Sequence, residues 1–170
     1  MNPDSMTPVD WAKRPLQKYA DFTGRAPRAE YWWFVLGIIV AYILLSIIES
    51  ILGIGKMVVG IYGPLTVLLW LATIVPSIAV GVRRLHDTNR TGWWILLPFV
   101  PYAIAIALAG PAIMAGGLGA GLGLAALFMF VGMICAIVLL VFMCLAGTPG
   151  DNRYGPNPYG EGEGTTVAAE

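Results

Sequence analysis

The sequence predicts an all-α integral membrane protein: four transmembrane helices, a short N-terminal interfacial helix, and both termini in the cytoplasm (N-in/C-in). Three observations carry this prediction. The first is composition. Of 170 residues, 58% are hydrophobic and 12% charged, against roughly 25% charged in soluble domains. In water, so few ionisable side chains could not cover so much apolar surface. The second is patterning. Residues 91–150 carry no charged side chain, and one crossing needs only about 20 apolar residues. The third is the sidedness of Lys and Arg. Together these exclude an ordinary cytosolic enzyme, a nucleic-acid binder with a basic field, and a disordered chain. The net charge is zero, so it identifies no partner.

Residues 1–10 read as a frayed tail. In residues 15–22 (PLQKYADF), Pro15 suits a first helical position, and Leu16, Tyr19 and Phe22 follow at helical spacing. This predicts a short amphipathic helix on the membrane face, with Lys18 toward headgroups and Thr23-Gly24 as its stop. The first 30 residues are polar and hold Pro3, Pro8, Pro15 and Pro27. The apolar core of a secretory signal is therefore missing, and the first span is expected to stay as an anchor. Spans are predicted at about 31–52, 64–82, 93–109 and 123–145. Trp32 and Trp33 open the first and Trp93 and Trp94 the third, where interface anchors belong. Residues 1–30 form the N-terminal segment, 31–146 the membrane domain and 147–170 a Gly/Pro-rich tail, disordered in its last dozen residues.

Orientation follows from the basic residues. Lys13, Arg14, Lys18, Arg25 and Arg28 precede span one, and only Lys56 lies between spans one and two. Arg83, Arg84 and Arg90 follow span two, and Arg153 lies in the tail. With both termini inside, nine of the ten are cytoplasmic.

Inside the spans, Tyr42, Ser46 and Glu49 recur on one face of span one. Thr66, Thr73 and Ser77 do the same on span two, and antiparallel packing brings Glu49 level with Thr66. These side chains could form a polar seam for a solute or proton. Alternatively, Ser and Thr bond their own backbone and Glu49 reaches the far interface, about 27 Å along the helix from Tyr31. Pro76, Pro98 and Pro101 free backbone carbonyls, and Thr73 is a local candidate to satisfy the one freed by Pro76. Gly110 to Gly123 holds six glycines and reads as a turn, while Gly132 and Ala136 make a better small-residue contact. Cys135 and Cys144 fall on opposite helix faces, cannot bridge each other, and read as packing residues. Nothing in the spacing calls for a metal or a cofactor.

Three polar clusters abut span ends on the same predicted side. They are GRAPRAE at 24–30, RRLHDTNR at 83–90, and residues 147–158 around Asp151, Asn152 and Arg153. Arg25, Arg28, Arg83, Arg84 and Arg90 suit phosphate oxygens, and anionic headgroups are the nearest phosphates. Asp87 could pair with Arg83 or Arg90 along a continuing helix, and Glu30 and Asp151 with arginines of other segments. The same residues could instead form an ion-pair network that staples the span ends. His86 beside Asp87 resembles a base with its orienting carboxylate, but neighbouring helical residues point about 100° apart. With no Ser or Cys nucleophile motif and no second His, a structural role is the expectation.

GRAPRAEYWWF at 24–34, RRLHDTNRTGWW at 83–94 and GTPGDNRYGPNP at 147–158 resemble the three signatures of the domain-of-unknown-function 805 family, small bacterial inner-membrane proteins. The resemblance covers roughly residues 11–158. It implies a multipass protein of the bacterial cytoplasmic membrane and brings no established activity or catalytic residue. The stretch from Gly92 to Gly147 is longer than is usual in the family, which supports two spans there. The expectation is a non-catalytic membrane module whose Arg/Asp/His face binds anionic lipid, a phosphate-bearing ligand or a partner protein. A homo-oligomer is one possible form, and nucleic acid is not a partner. The rival expectation is a small transporter or channel using the seam between spans one and two.

Overall fold

The computed structural model describes residues 5–54, 62–114 and 120–159. These form α1 (Pro8–Gln17), α2 (Arg28–Ile51), α3 (Pro64–Asp87), a 3-10 turn (Gly92–Leu96), α4 (Phe99–Met114) and α5 (Ala120–Cys144). Four helical segments are long and apolar enough to cross a membrane: Arg28–Ile51, Pro64–Asp87, Gly92–Pro111 and Gly121–Cys144. No named strand occurs among the described residues. Lys56, the core of the glycine-rich turn and the expected disordered tail end lie outside them.

The first helix starts seven residues before the expected position and ends at Gln17, so Tyr19, Phe22 and the expected Thr23-Gly24 stop lie beyond it. A capping box explains the shift: the Asp10 amide donates to Thr7 Oγ1 at 3.3 Å and the Thr7 amide to Asp10 Oδ2 at 3.0 Å. Pro8 takes the first helical position, which needs no N–H donor. Pro15, read from sequence as a start, instead sits inside the helix and is buried. Residues 8–10, expected to be part of a frayed tail, are thus helical. α1 packs on α2, its Ala12 Cβ 3.8 Å from where a Cβ on Gly37 would stand.

α2 and α3 run antiparallel and hold most of the buried positions. Leu36, Ile39, Ile43 and Ile47 of α2 face outward, as apolar side chains of a spanning helix do when lipid is the solvent. α3 continues past its expected end at residue 82, through both arginines to Asp87. It stops in a Schellman motif. Asn89, left-handed at φ 58°, donates to His86 O at 2.9 Å, and the Arg90 amide donates to Leu85 O at 2.9 Å.

Pro76 cannot donate to the Ala72 carbonyl. That oxygen accepts instead from the Tyr19 hydroxyl at 2.8 Å, so the N-terminal segment repairs the gap in α3. Thr73, the expected partner, donates its hydroxyl to Leu69 O at 2.7 Å. The third span opens with the 3-10 turn, which carries Trp93 and Trp94. α4 and α5 then pack along each other and touch α2 and α3 only lightly. They meet tightly at Gly132, where a Cβ would meet the Tyr102 ring at 2.7 Å. Cys135 and Cys144 are both free thiols.

Candidate functional site

At one end of the α2–α3 pair the three polar motifs converge; we call it the arginine end. Arg25, Glu30, Arg83, Arg84 and Asp87 are all buried there. Charges out of water need close partners, and each of these has an oppositely charged one, although Arg83 Nε and Nη2 are buried without a hydrogen bond among the described residues. The hub is Asp87. Its Oδ1 accepts from Arg25 Nε at 3.0 Å, and its Oδ2 accepts from Arg84 Nη1. The partners foreseen from helical spacing were Arg83 and Arg90, but Arg84, three residues before Asp87, takes the place. Arg83 pairs with Glu30 of α2. Arg14 of α1 approaches the other Glu30 oxygen at 3.4 Å.

Three buried guanidiniums face two buried carboxylates, and helix ends supply acceptors for the excess positive charge. Arg84 Nε donates to Met143 O at 3.1 Å and Arg84 Nη2 to Leu145 O. Arg28 Nε also donates to Leu145 O, at 2.8 Å. These carbonyls belong to the last turn of α5 and the residue after it, where the helix has no amides of its own to offer and its dipole is negative. Arg25 reaches further along the tail, to Gly150 O at 2.6 Å and Thr148 O at 2.7 Å.

The tail returns the favour to α3. The Thr148 amide donates to Asp87 O at 2.9 Å, and Asn152 Nδ2 donates to His86 O at 3.0 Å. Residues 83–90 therefore cap α5 while residues 147–152 cap α3. Gly147 makes this approach possible, since a Cβ there would stand 2.3 Å from Asp87 Oδ2. The amide of Ala26 adds a bond to Arg83 O at 3.0 Å.

His86 stacks on Tyr154, with ring centroids 3.9 Å apart and planes within 3°. Its Nδ1 lies 3.2 Å from Gly24 O, so that nitrogen carries the proton and donates. Arg90 lies over the Phe142 ring at 4.1 Å. Arg153 donates to Asn89 O at 3.1 Å, and exposed Asp151 accepts from the Asn157 amide at 3.0 Å. Among the described residues Asp151 makes no ion pair, and no group of three His, Cys, Asp or Glu could hold a metal.

The opposite end buries one carboxylate. Glu49 Oε1 accepts from the amides of Leu65 and Thr66, the latter at 2.9 Å, and its Oε2 accepts from the Thr66 hydroxyl. A residue of α2 thus caps the N-terminus of α3, where the dipole favours an anion. Gly63 leaves room for it, since a Cβ there would meet the Glu49 carboxyl carbon at 2.4 Å. Tyr42, Ser46 and Thr66 share a recess of about 570 Å³ with Tyr62, Val67 and Trp70. Thr73 and Ser77 do not line it. The sequence placed Tyr19 on the amphipathic helix but gave no sign of its bond to the Ala72 carbonyl, and Gly63 carried no expected role; the Gly63-Pro64 pair at a helix start was the available signal for the latter.

Antiparallel apolar helices, a polar junction at one end and outward-facing aliphatic side chains define a multi-span α-helical membrane protein. Residues 19–156 match the family model described as "Protein of unknown function (DUF805)", and the chain belongs to that family. It is 35% identical over 150 residues to "Inner membrane protein YhaH" of Escherichia coli K12, covering 88% of this chain and 97% of that one. It is 36% identical over 151 residues to "Inner membrane protein YhaI", covering 88% and 96%. "Uncharacterized protein YiiR" is 32% identical over 140 residues, covering 79% and 83%. No solved structure matches the chain significantly.

Proposed function

We propose that the chain is a non-catalytic module of the bacterial inner membrane, with both termini cytoplasmic, whose arginine end rests on anionic headgroups. The observation that carries this reading is a division of labour among the basic residues. Arg25, Arg83 and Arg84 are buried and bonded inside the junction, while Lys13, Arg28 and Arg153 are exposed around the N-terminal and junction segments. The buried set fixes the junction, and the exposed set, of which Arg28 and Arg153 each give one donor to a junction carbonyl, turns its remaining donors to phosphate oxygens. The sidedness of Lys and Arg supports the orientation, and the names of the relatives support the inner membrane.

Substituting Lys13, Arg28 and Arg153 by Gln together is expected to lower co-purified anionic lipid while costing far less folded protein than loss of the buried set, since Arg28 and Arg153 each give the junction one exposed bond, to Leu145 O and Asn89 O. Substituting Arg25 and Arg84 by Gln is expected to remove the folded protein itself. Anionic lipid retained undiminished by the first variant sinks the proposal. A transporter or channel using the α2–α3 seam needs polar continuity from the recess past Thr73 to Ser77. The Thr73 hydroxyl is turned onto Leu69 O, and this reading is not adopted.

A further inference from the structure

The recess at the Glu49 end has a composition unlike the other grooves. Tyr42, Tyr62 and Trp70 give it three aromatic walls, Ser46 and Thr66 add hydroxyls, and Val67 supplies the remaining apolar surface. Directly behind Thr66 lies the buried Glu49 carboxyl, accepting from the Thr66 amide and hydroxyl at a helix N-terminus, where the dipole favours an anion. Among the described residues it makes no ion pair. Aromatic faces attract cations through their quadrupoles, and a fixed negative charge nearby adds to the attraction across a medium that screens poorly. A phosphate or carboxylate would meet repulsion there.

Location narrows the occupant. Tyr42 precedes Glu49 by seven residues, about 10 Å along α2, so the recess spans the last turns of one crossing and the first turns of the next. Ser46, Tyr62 and Trp70 are exposed, leaving it open at the side where lipid stands. Headgroups occupy the ends of spanning helices, and their acyl chains run alongside the apolar surface below.

We propose that this recess binds the ammonium headgroup of a zwitterionic phospholipid. The ammonium sits among Tyr42, Tyr62 and Trp70, with the Ser46 hydroxyl accepting from it. Glu49 acts at one remove, as a buried counter-charge. The proposal does not rest on the lipid contacts suggested for the arginine end, which select the opposite charge at the opposite end.

The test uses the full-length protein in nanodiscs of equal phosphatidylethanolamine and phosphatidylglycerol, with retained lipids counted by native mass spectrometry. Wild type is expected to keep phosphatidylethanolamine about three- to fivefold over its share, the size of a cation–π contribution at a partly exposed site. A Tyr62→Leu/Trp70→Leu double variant keeps apolar area and should lose that preference without a change in thermal midpoint, since both side chains are exposed. Trp70→Phe should retain most of it. The Lys13/Arg28/Arg153 variant should change only the phosphatidylglycerol count, so failure at either end is visible by itself. Equal retention of the two lipids by wild type overturns the proposal, as does a preference that survives in the double variant. Competition by free tetramethylammonium without lipid preference overturns the lipid assignment.

Discussion

The two ends of the α2–α3 pair bury charge by different means. At the arginine end, carboxylates and guanidiniums neutralise one another, and the surplus cation is absorbed by carbonyls at the end of α5. At the Glu49 end a single carboxylate is held by the amides and hydroxyl that open the next helix. The first arrangement draws on segments more than a hundred residues apart in sequence, whereas the second links neighbours across one connection. The arginine end therefore holds the whole fold together, and the Glu49 end registers one helix pair.

That contrast ranks the effects of substitution. Asp87→Asn leaves two buried guanidiniums without their shared counter-charge, and breaking such a pair costs about 3–5 kcal/mol. Loss of the monodisperse folded peak in detergent is expected. Gly147→Ala forces a Cβ against the Asp87 carboxylate and is expected to cost about 1–3 kcal/mol as the backbone shifts, read as a lowered thermal midpoint. If it matches wild type, the junction is looser than described.

Glu49→Gln keeps the shape but discards the charge facing the α3 dipole. Its loss should fall between those of Asp87→Asn and a surface change, and a drop as large as that of Asp87→Asn would erase the distinction between the ends. Tyr19→Phe removes the donor to the Ala72 carbonyl, a loss of about 1 kcal/mol. Smallest is the α1 cap. The Thr7 hydroxyl, then its amide, hold the Asp10 carboxyl below its ordinary value. A lowered folded value stabilises at pH above the free value near 4 and is lost as pH falls through the folded value. Asp10→Asn should remove that acid sensitivity of α1, followed by amide exchange in residues 9–12.

The spans were legible because lipid imposes a length and a composition, and Arg90 to Asp151 is a gap no soluble fold would leave. The motifs were legible as clusters, but their partners were not. Asp87 was assigned Arg83 or Arg90 by helical spacing, yet tertiary packing chose Arg84 and Arg25, a choice periodicity does not encode. The start of α1 was misplaced because Pro15 looked like a first residue. The stronger signal, Thr7 with Asp10 three residues later, is a capping box with the shorter acid. Glu49 was correctly placed beside Thr66, since antiparallel register follows from span length. Its role as another helix's cap depends on Gly63, whose pairing with Pro64 marks a helix start in the sequence but whose contact with the Glu49 carboxyl is set by tertiary packing.

The reciprocal capping of α3 and α5 sets an order of manufacture. Arg25 and Arg84 leave the ribosome before the third and fourth spans, whereas the carbonyls of Leu145, Thr148 and Gly150 that receive them are made only after α5. A chain halted at Ala146 has every apolar segment needed to cross four times. It nevertheless leaves Arg25 without its two carbonyl acceptors and α3 without the Thr148 and Asn152 caps. The last crossing alone therefore does not finish the fold, and a copy lacking residues 147–152 carries buried polar groups without their partners.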